Sequence, residues 1–321
     1  MTITRANSKL AIVGAGSVGT SLAYASLIRG AAREIALYDL DTAKVDAEVL
    51  DLAHGTQFIG SSEISGGDDI GVCADADVVV ITAGAKQKPG QTRLDLAATN
   101  VRILEDLMPK LLAQAPDAVF VLVTNPCDVL TVVAQRITGL PAHRVLSSGT
   151  LLDTSRLRWI LARMAGGVSA SSVHAMIVGE HGDSEFALWS QATIGPVPIL
   201  EWEVDGELVF NEAVLEQVAA DVRDAAYRVI EGKGATNYAI GLSGARLVEA
   251  LVQDERAIVP VSTVLDGYAG VSGVALSVPS LVGRGGVLQL LDVPMSKAEQ
   301  RRLARSAEAI AEALASLGIE R

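Results

Sequence analysis

The chain has 321 residues, 50% of them hydrophobic, with a formal net charge of −12 and two cysteines. That length exceeds what a single core usually serves, so two lobes are expected, and the acidic balance repels phosphate backbones and argues against a nucleic-acid partner. Cys73 and Cys127 are too few for a disulfide framework and lack the spacing of a metal site, which fits a reduced, cytoplasmic protein.

The first apolar run, Leu10 to Val13, is too short for a signal-peptide core and leads into a glycine-rich turn. From there short apolar runs alternate with helical patterns. Strands are predicted at Leu10–Val13, Ile35–Tyr38, Val78–Ile81, Val119–Val123 and Val145–Leu146, with helices from Val18, around Val45–Leu52, through Val101–Leu112 and after Pro126. This is the βαβ signature of a parallel sheet with right-handed crossovers. Near residue 150 the pattern changes, giving domains 1–149 and 150–321. The second holds a helix at Thr154–Met164, a strand at Val173–Val178, and helices at Glu212–Ile230 and Ala239–Val252. Ala257–Leu265, Val274–Val282 and Val287–Leu291 then read as antiparallel strands separated by Gly-rich turns, and an amphipathic helix, Lys297 to Leu317, follows. Gly267 to Gly283, the longest stretch without a charged residue, is broken by glycines, serines and Pro279, so no membrane helix is expected.

Gly14, Gly16 and Gly19 form GxGxxG between the first strand and the first helix, where the backbone can approach a pyrophosphate at a helix N-terminus. Asp39 closes the second strand twenty residues after Gly19, placed to bind an adenosine ribose and repel a 2′-phosphate. Strand, spacing, helix and acid together predict a Rossmann-type, doubly wound dinucleotide-binding domain, followed by an α+β domain. They favour NAD over NADP and leave FAD open.

The segment 83–94, AGAKQKPGQTRL, sets Lys86, Lys88 and Arg93 around the neutral Gln87. It leaves the sheet's carboxyl edge, where open α/β sheets bind ligands, and reads as an anion loop. If the anion is a small carboxylate, Gln87 bears on which one enters, because an amide does not neutralise a second negative charge. A solvated loop with Gly and Pro hinges is the plainer reading. A second constellation comprises Asn125 in VTNP, Asp153 and Arg156 in DTSR, and His181 in GEHGD. His181 can give or take a proton, and Asp153 is the candidate carboxylate that orients its ring. Arg156 offers a planar fork for a carboxylate, and Arg93 a cation that polarises a carbonyl once its loop closes. Each residue taken singly also fits a helix cap, a surface ion pair or a satisfied polar group.

Read together, GAGSVG, ITAGAKQKPGQTRLDL, VTNPCDV, GTLLDTSRLR, GEHGDSE and KGATNYAIG resemble the L-lactate and malate dehydrogenase family across nearly the whole chain. The resemblance implies His181 as proton donor and acceptor, Asp153 as its orienting carboxylate, Arg156 as the substrate clamp and Arg93 as the carbonyl-polarising arginine. It also implies substrate contacts from Gln87, Asn125, Asp128 and Thr236. An NAD site is implied along Gly14, Gly16, Val18, Gly19, Asp39, Lys44, Ala83, Gly84, Val123, Asn125 and Ser148. The implied reaction is the reversible reduction of pyruvate to (S)-lactate with NADH, the last step of lactate fermentation.

Malate dehydrogenases of the family typically carry arginine where Gln87 stands. Oxaloacetate would therefore bury a second carboxylate here without its own cation, at a cost of about several kcal/mol in a closed site. Arg158 and His174 match the pair by which bacterial members of the family bind fructose 1,6-bisphosphate between subunits of a homotetramer. The rivals are a malate dehydrogenase and a non-catalytic NAD-binding protein of the same fold.

Overall fold

A computed structural model describes residues 8–85 and 93–319, with Arg93 and Leu94 described in backbone only. The first half runs β1 (Lys9–Val13), α1 (Ser17–Arg29), β2 (Glu34–Tyr38), α2 (Thr42–His54), β3 (Glu63–Gly67), β4 (Val78–Ile81), α3 (Arg93–Gln114), β5 (Val119–Leu122), α4 (Cys127–Thr138) and β6 (Val145–Ser147). All six strands are parallel, in the order β3-β2-β1-β4-β5-β6. The order reverses between β1 and β4, and such a switch point opens a crevice at the carboxyl ends of the strands.

The apolar runs form these strands because both sheet faces are covered. Leu10 and Ile12 enter one core with Leu22 and Leu27 of α1, while Ala11 and Val13 enter the other with Leu104 and Met108 of α3. Full burial of such aliphatic side chains contributes roughly 1.5–3 kcal/mol each. Both faces are thus spoken for, and only the strand ends are left to bind ligands.

The second half contains α5 (Leu151–Met164), β7 (Val173–His174), β8 (Ile177–Val178), β9 (Phe186–Ala187), β10 (Thr193–Ile194), β11 (Val197–Pro198), β12 (Glu203–Val204) and β13 (Glu207–Leu208). It continues with α6 (Glu212–Lys233), α7 (Tyr238–Val252), β14 (Ala257–Val264), β15 (Ala275–Gly283), β16 (Gly286–Leu290) and α8 (Lys297–Ser316). The predicted antiparallel trio is present as β14 to β16. Its strands do not stand apart: β14 pairs antiparallel with β6 and extends the parallel sheet to nine strands.

The single strand expected at Val173–Val178 is instead two short ones. β7 pairs with β10 and β8 with β9. Between them the Ala175 carbonyl accepts a hydrogen bond from Arg158 Nε at 2.9 Å, which occupies an acceptor that a continuous ladder would need. β3 was missed because EISGG is short and ends in glycines. Gly66 is required there, since a Cβ would overlap the Leu37 carbonyl of β2. No helix among the described residues is long and apolar enough to cross a membrane.

Candidate active site

The crevice at the switch point is a groove of about 850 Å³, floored by the turn after β1. Gly14 adopts a φ of +110°, and a Cβ on it would lie 2.7 Å from Ala83 N, so only glycine fits between the ends of β1 and β4. A Cβ on Gly19 would overlap the Gly14 carbonyl, which explains the close seating of α1. Gly16 differs, because a Cβ there would meet no atom within 4 Å. It faces the open groove, and α1 begins with no side-chain cap and no acidic residue in its first turn. Its free N–H groups fit an anion such as a pyrophosphate. Asp39 accepts from Ala15 N at 2.6 Å and from Asp41 N at 3.1 Å, so it also ties the glycine turn to the end of β2.

A second cleft of about 500 Å³ lies between α3, α4, α5, α6 and α8. His181 Nδ1 is 2.7 Å from Asp153 Oδ2, and Arg156 Nη1 donates to the other oxygen, Asp153 Oδ1, at 2.6 Å. The His181 amide donates to Asp128 Oδ2 at 2.7 Å. Ser277 of β15 holds the two segments that carry this cluster. Its Oγ accepts from Thr150 N at the start of α5 (3.0 Å), and its backbone exchanges two 2.9 Å hydrogen bonds with Gly179, two residues before His181. Asn125 lines both the groove and the cleft, so the two spaces meet at that residue.

Comparison with known proteins matches two consecutive stretches of the chain. Residues 8–147 match the NAD-binding domain of lactate/malate dehydrogenase, and residues 150–317 match the α/β C-terminal domain of the same family. The chain belongs to the lactate/malate dehydrogenase family. It is 49% identical over 312 residues to an L-lactate dehydrogenase of Bifidobacterium animalis subsp. lactis, covering 97% of each chain. It is 45% identical over 309 residues to one of a Synechococcus species, covering 96% of this chain and 99% of the relative. Among solved structures it resembles the minor L-lactate dehydrogenase of Enterococcus mundtii in a ligand-bound form, with a TM-score of 0.93 and 40% identity, over 97% of this chain and 99% of that one. A lactate dehydrogenase from a Medee basin deep-sea metagenome library also superimposes with a TM-score of 0.93, at 36% identity and with the same two coverages.

The family's nucleotide groove collects Gly14, Gly16, Val18, Gly19, Asp39, Lys44, Ala83, Gly84, Val123 and Asn125. Ser148 is not among them. It is buried beyond the end of β6, where its amide donates to the Leu122 carbonyl at 3.0 Å. The reactive cleft collects Asn125, Asp128, Asp153, Arg156 and His181. Thr236 does not line it. That residue is half-buried between α6 and α7, next to Asn237, whose Nδ2 donates to Ser21 Oγ of α1 at 2.9 Å. Gln87, with its neighbours Lys86 and Lys88, lies outside the described residues. Arg93 opens α3, one turn before Leu96 and Ala97 of the cleft wall. At the seam between β7 and β8 Arg158 bonds the carbonyl of Ala175, the residue that follows the exposed His174.

Burial alone would discharge the His181 ring. The Asp153 charge and hydrogen bond override it, with smaller pulls from Glu185 and Asp128, and lift the imidazolium to about 9. Asp153 is pushed up by burial but held below the ordinary carboxylate range by His181 and Arg156. Burial raises Asp128 to about 6, against the lowering effect of the His181 amide. Sequence reasoning missed Glu185, which is 5% exposed and lines the cleft together with Arg223 and Tyr227 of α6. Only the acid inside GEHGDSE, so close to His181, hinted at it.

Proposed function

We propose that the protein is an L-lactate dehydrogenase that reversibly reduces pyruvate to (S)-lactate with NADH, in the cytoplasm, at the end of lactate fermentation. The observation that carries this reading is the meeting of groove and cleft at Asn125, which sets a dinucleotide site beside a charged His181–Asp153–Arg156 cluster. NAD, the cofactor of the family, accepts or supplies a hydride when bound. The chain's own residues handle the proton and the charge.

With Nδ1 engaged by Asp153, His181 has Nε2 as the nitrogen that gives a proton to the substrate's C2 oxygen during reduction and takes it back during oxidation. Asp153 orients the ring and stabilises its charged form. Arg156 keeps guanidinium N–H groups beyond the one on Asp153 to grip the substrate carboxylate. Arg93 supplies a second cation to the carbonyl oxygen, where negative charge develops. Gln87, an uncharged amide, suits a methyl substituent and does not neutralise a second carboxylate. The test is the kcat/KM ratio for pyruvate over oxaloacetate with NADH. A ratio well above one is expected, and a preference for oxaloacetate overturns the substrate assignment.

We further propose that fructose 1,6-bisphosphate activates a homotetramer through Arg158 and His174. The half-buried Arg158, bonded to the carbonyl next in sequence to the exposed His174, supports this, as do the exposed Tyr24 and Ile28 of α1 and Leu242 of α7, which favour self-association. Saturating bisphosphate should lower the pyruvate half-saturation and raise the tetramer fraction in sedimentation. No change in either refutes the regulation while leaving the enzyme assignment intact.

A further inference from the structure

Glu185 has no part in the reaction as derived above, yet it occupies a costly position. Its side chain is buried in the wall of the cleft, and Oε1 has no hydrogen-bond partner among the described residues. A carboxyl oxygen, the His181 ring and an Asp153 oxygen lie within 4.8 Å of one another. An ionised carboxylate so placed would sit dry beside the Asp153 charge with one oxygen unsatisfied, which is strongly unfavourable. A carboxyl that keeps its proton avoids the second charge.

We propose that Glu185 is a positioning residue for His181, a proton-holding carboxyl that ionises in the imidazole's stead as the solution turns alkaline. This rests on His181 being the proton donor of the reaction. At neutral pH the cluster holds Asp153 as carboxylate, His181 as imidazolium and Glu185 as neutral acid. On alkalinisation Glu185 releases its proton to water, and the new negative charge favours retention of the proton on His181.

The surroundings agree. Burial first and the Asp153 charge second raise Glu185 to about 9, against the lowering effects of His181, Arg156 and Arg223. This matches the level to which His181 itself is lifted. The charged and titratable groups that line the cleft with His181 come from each neighbouring element: Asp128 from α4, Asp153 and Arg156 from α5, Arg223 and Tyr227 from α6, and Glu180 and Asp183 from its own segment. Glu185 adds to them a carboxyl that burial and the Asp153 charge raise to the level of His181, the range in which the imidazolium would be lost.

The test reads His181 directly and needs no turnover. Diethyl pyrocarbonate acylates only the unprotonated imidazole, and the side chain is 27% exposed. The rate of modification of the His181 peptide, followed by mass spectrometry against pH in the full-length protein, therefore gives the midpoint of its titration. Glu185→Gln should lower that midpoint by about half a pH unit or more, Glu185→Asp should keep it near wild type, and the alkaline limb of pyruvate reduction should move with it. Glu185→Ser supplies a second neutral replacement if the amide is not accommodated. A midpoint unmoved in the folded neutral variants, or moved equally by Gln and Asp, overturns the proposal. Turnover surviving in His181→Asn would instead overturn the proton-donor assignment, whatever the modification midpoints show.

Discussion

The nucleotide groove and the reactive cleft are built from different materials. The groove is main chain: glycines too tightly packed for a Cβ, an uncapped helix start, and Asp39 as its principal carboxylate. The cleft is side chain, with Asp128, Asp153, Arg156, His181 and Glu185 brought together from α4, α5 and the segment after β8. A surface of backbone donors gives a shape that does not respond to pH. A cluster of buried charges gives chemistry that depends on every member. Substitutions should therefore act differently in the two regions: steric and all-or-none in the groove, graded and pH-dependent in the cleft.

The largest expected effect is on the cleft. His181→Asn should reduce turnover of pyruvate by about 10²–10⁴-fold, while NADH affinity, read by fluorescence titration, stays near wild type. Parallel losses of both would mean that the two regions are not separable. Next comes the substrate end, where Gln87→Arg should shift the kcat/KM ratio toward oxaloacetate by roughly a hundredfold, the scale of about 3 kcal/mol for pairing a buried carboxylate. An unmoved ratio would remove Gln87 from the specificity argument. In the groove, Gly19→Ala should cost about 1–3 kcal/mol by overpacking against the Gly14 carbonyl and weaken NADH binding. Denaturant midpoints and NADH titration would check this, and a neutral result would contradict the contact between α1 and the β1 turn. Asp39→Ser should raise the NADPH to NADH ratio of kcat/KM by about tenfold.

The pH response is the gentlest of these effects and the most informative. The folded His181 is raised above the ordinary histidine value, so its charge contributes stability that is present below about 6.5 and is lost as pH rises through about 9. Pyruvate reduction, which needs the imidazolium, should persist through neutral pH and fall above about 9, while lactate oxidation should rise over the same range. Initial rates in both directions check this, and a fall centred near 6.5 would show that Asp153 does not govern the ring.

The groove was legible in the sequence because its determinants are local. GxGxxG, the strand before it and the helix after it lie within about two dozen residues, and Asp39 follows at the end of the next strand. The alternation of apolar runs with helices gave the parallel half, and Gly-rich turns gave the antiparallel strands. What stayed hidden is long-range. Nothing near residue 263 announces that β14 will pair with β6 at Leu146, and nothing in DTSR and GEHGD taken alone sets Asp153 2.7 Å from His181. The family resemblance supplied the second of these, Asp153 with His181, and the pairing of β14 with β6 came from the structure. Glu185 escaped because an acid beside a catalytic-looking motif reads as solvated until its burial is known. Ser148 and Thr236 line neither space among the described residues, although their motifs pointed to the site.

Ser277 gives the cleft a mechanical character that its distance in sequence conceals. One residue of β15 fastens the start of the helix that bears Asp153 and the strand that leads to His181. The proton relay is therefore clamped by a piece of chain made more than ninety residues later. The amides of Thr150, Gly179 and Ser277 should exchange with solvent as one cooperative unit, so that the chain becomes competent for proton transfer only when its last sheet strands have docked. Catalytic alignment here depends on a strand far along the chain, whose displacement would release both segments at once.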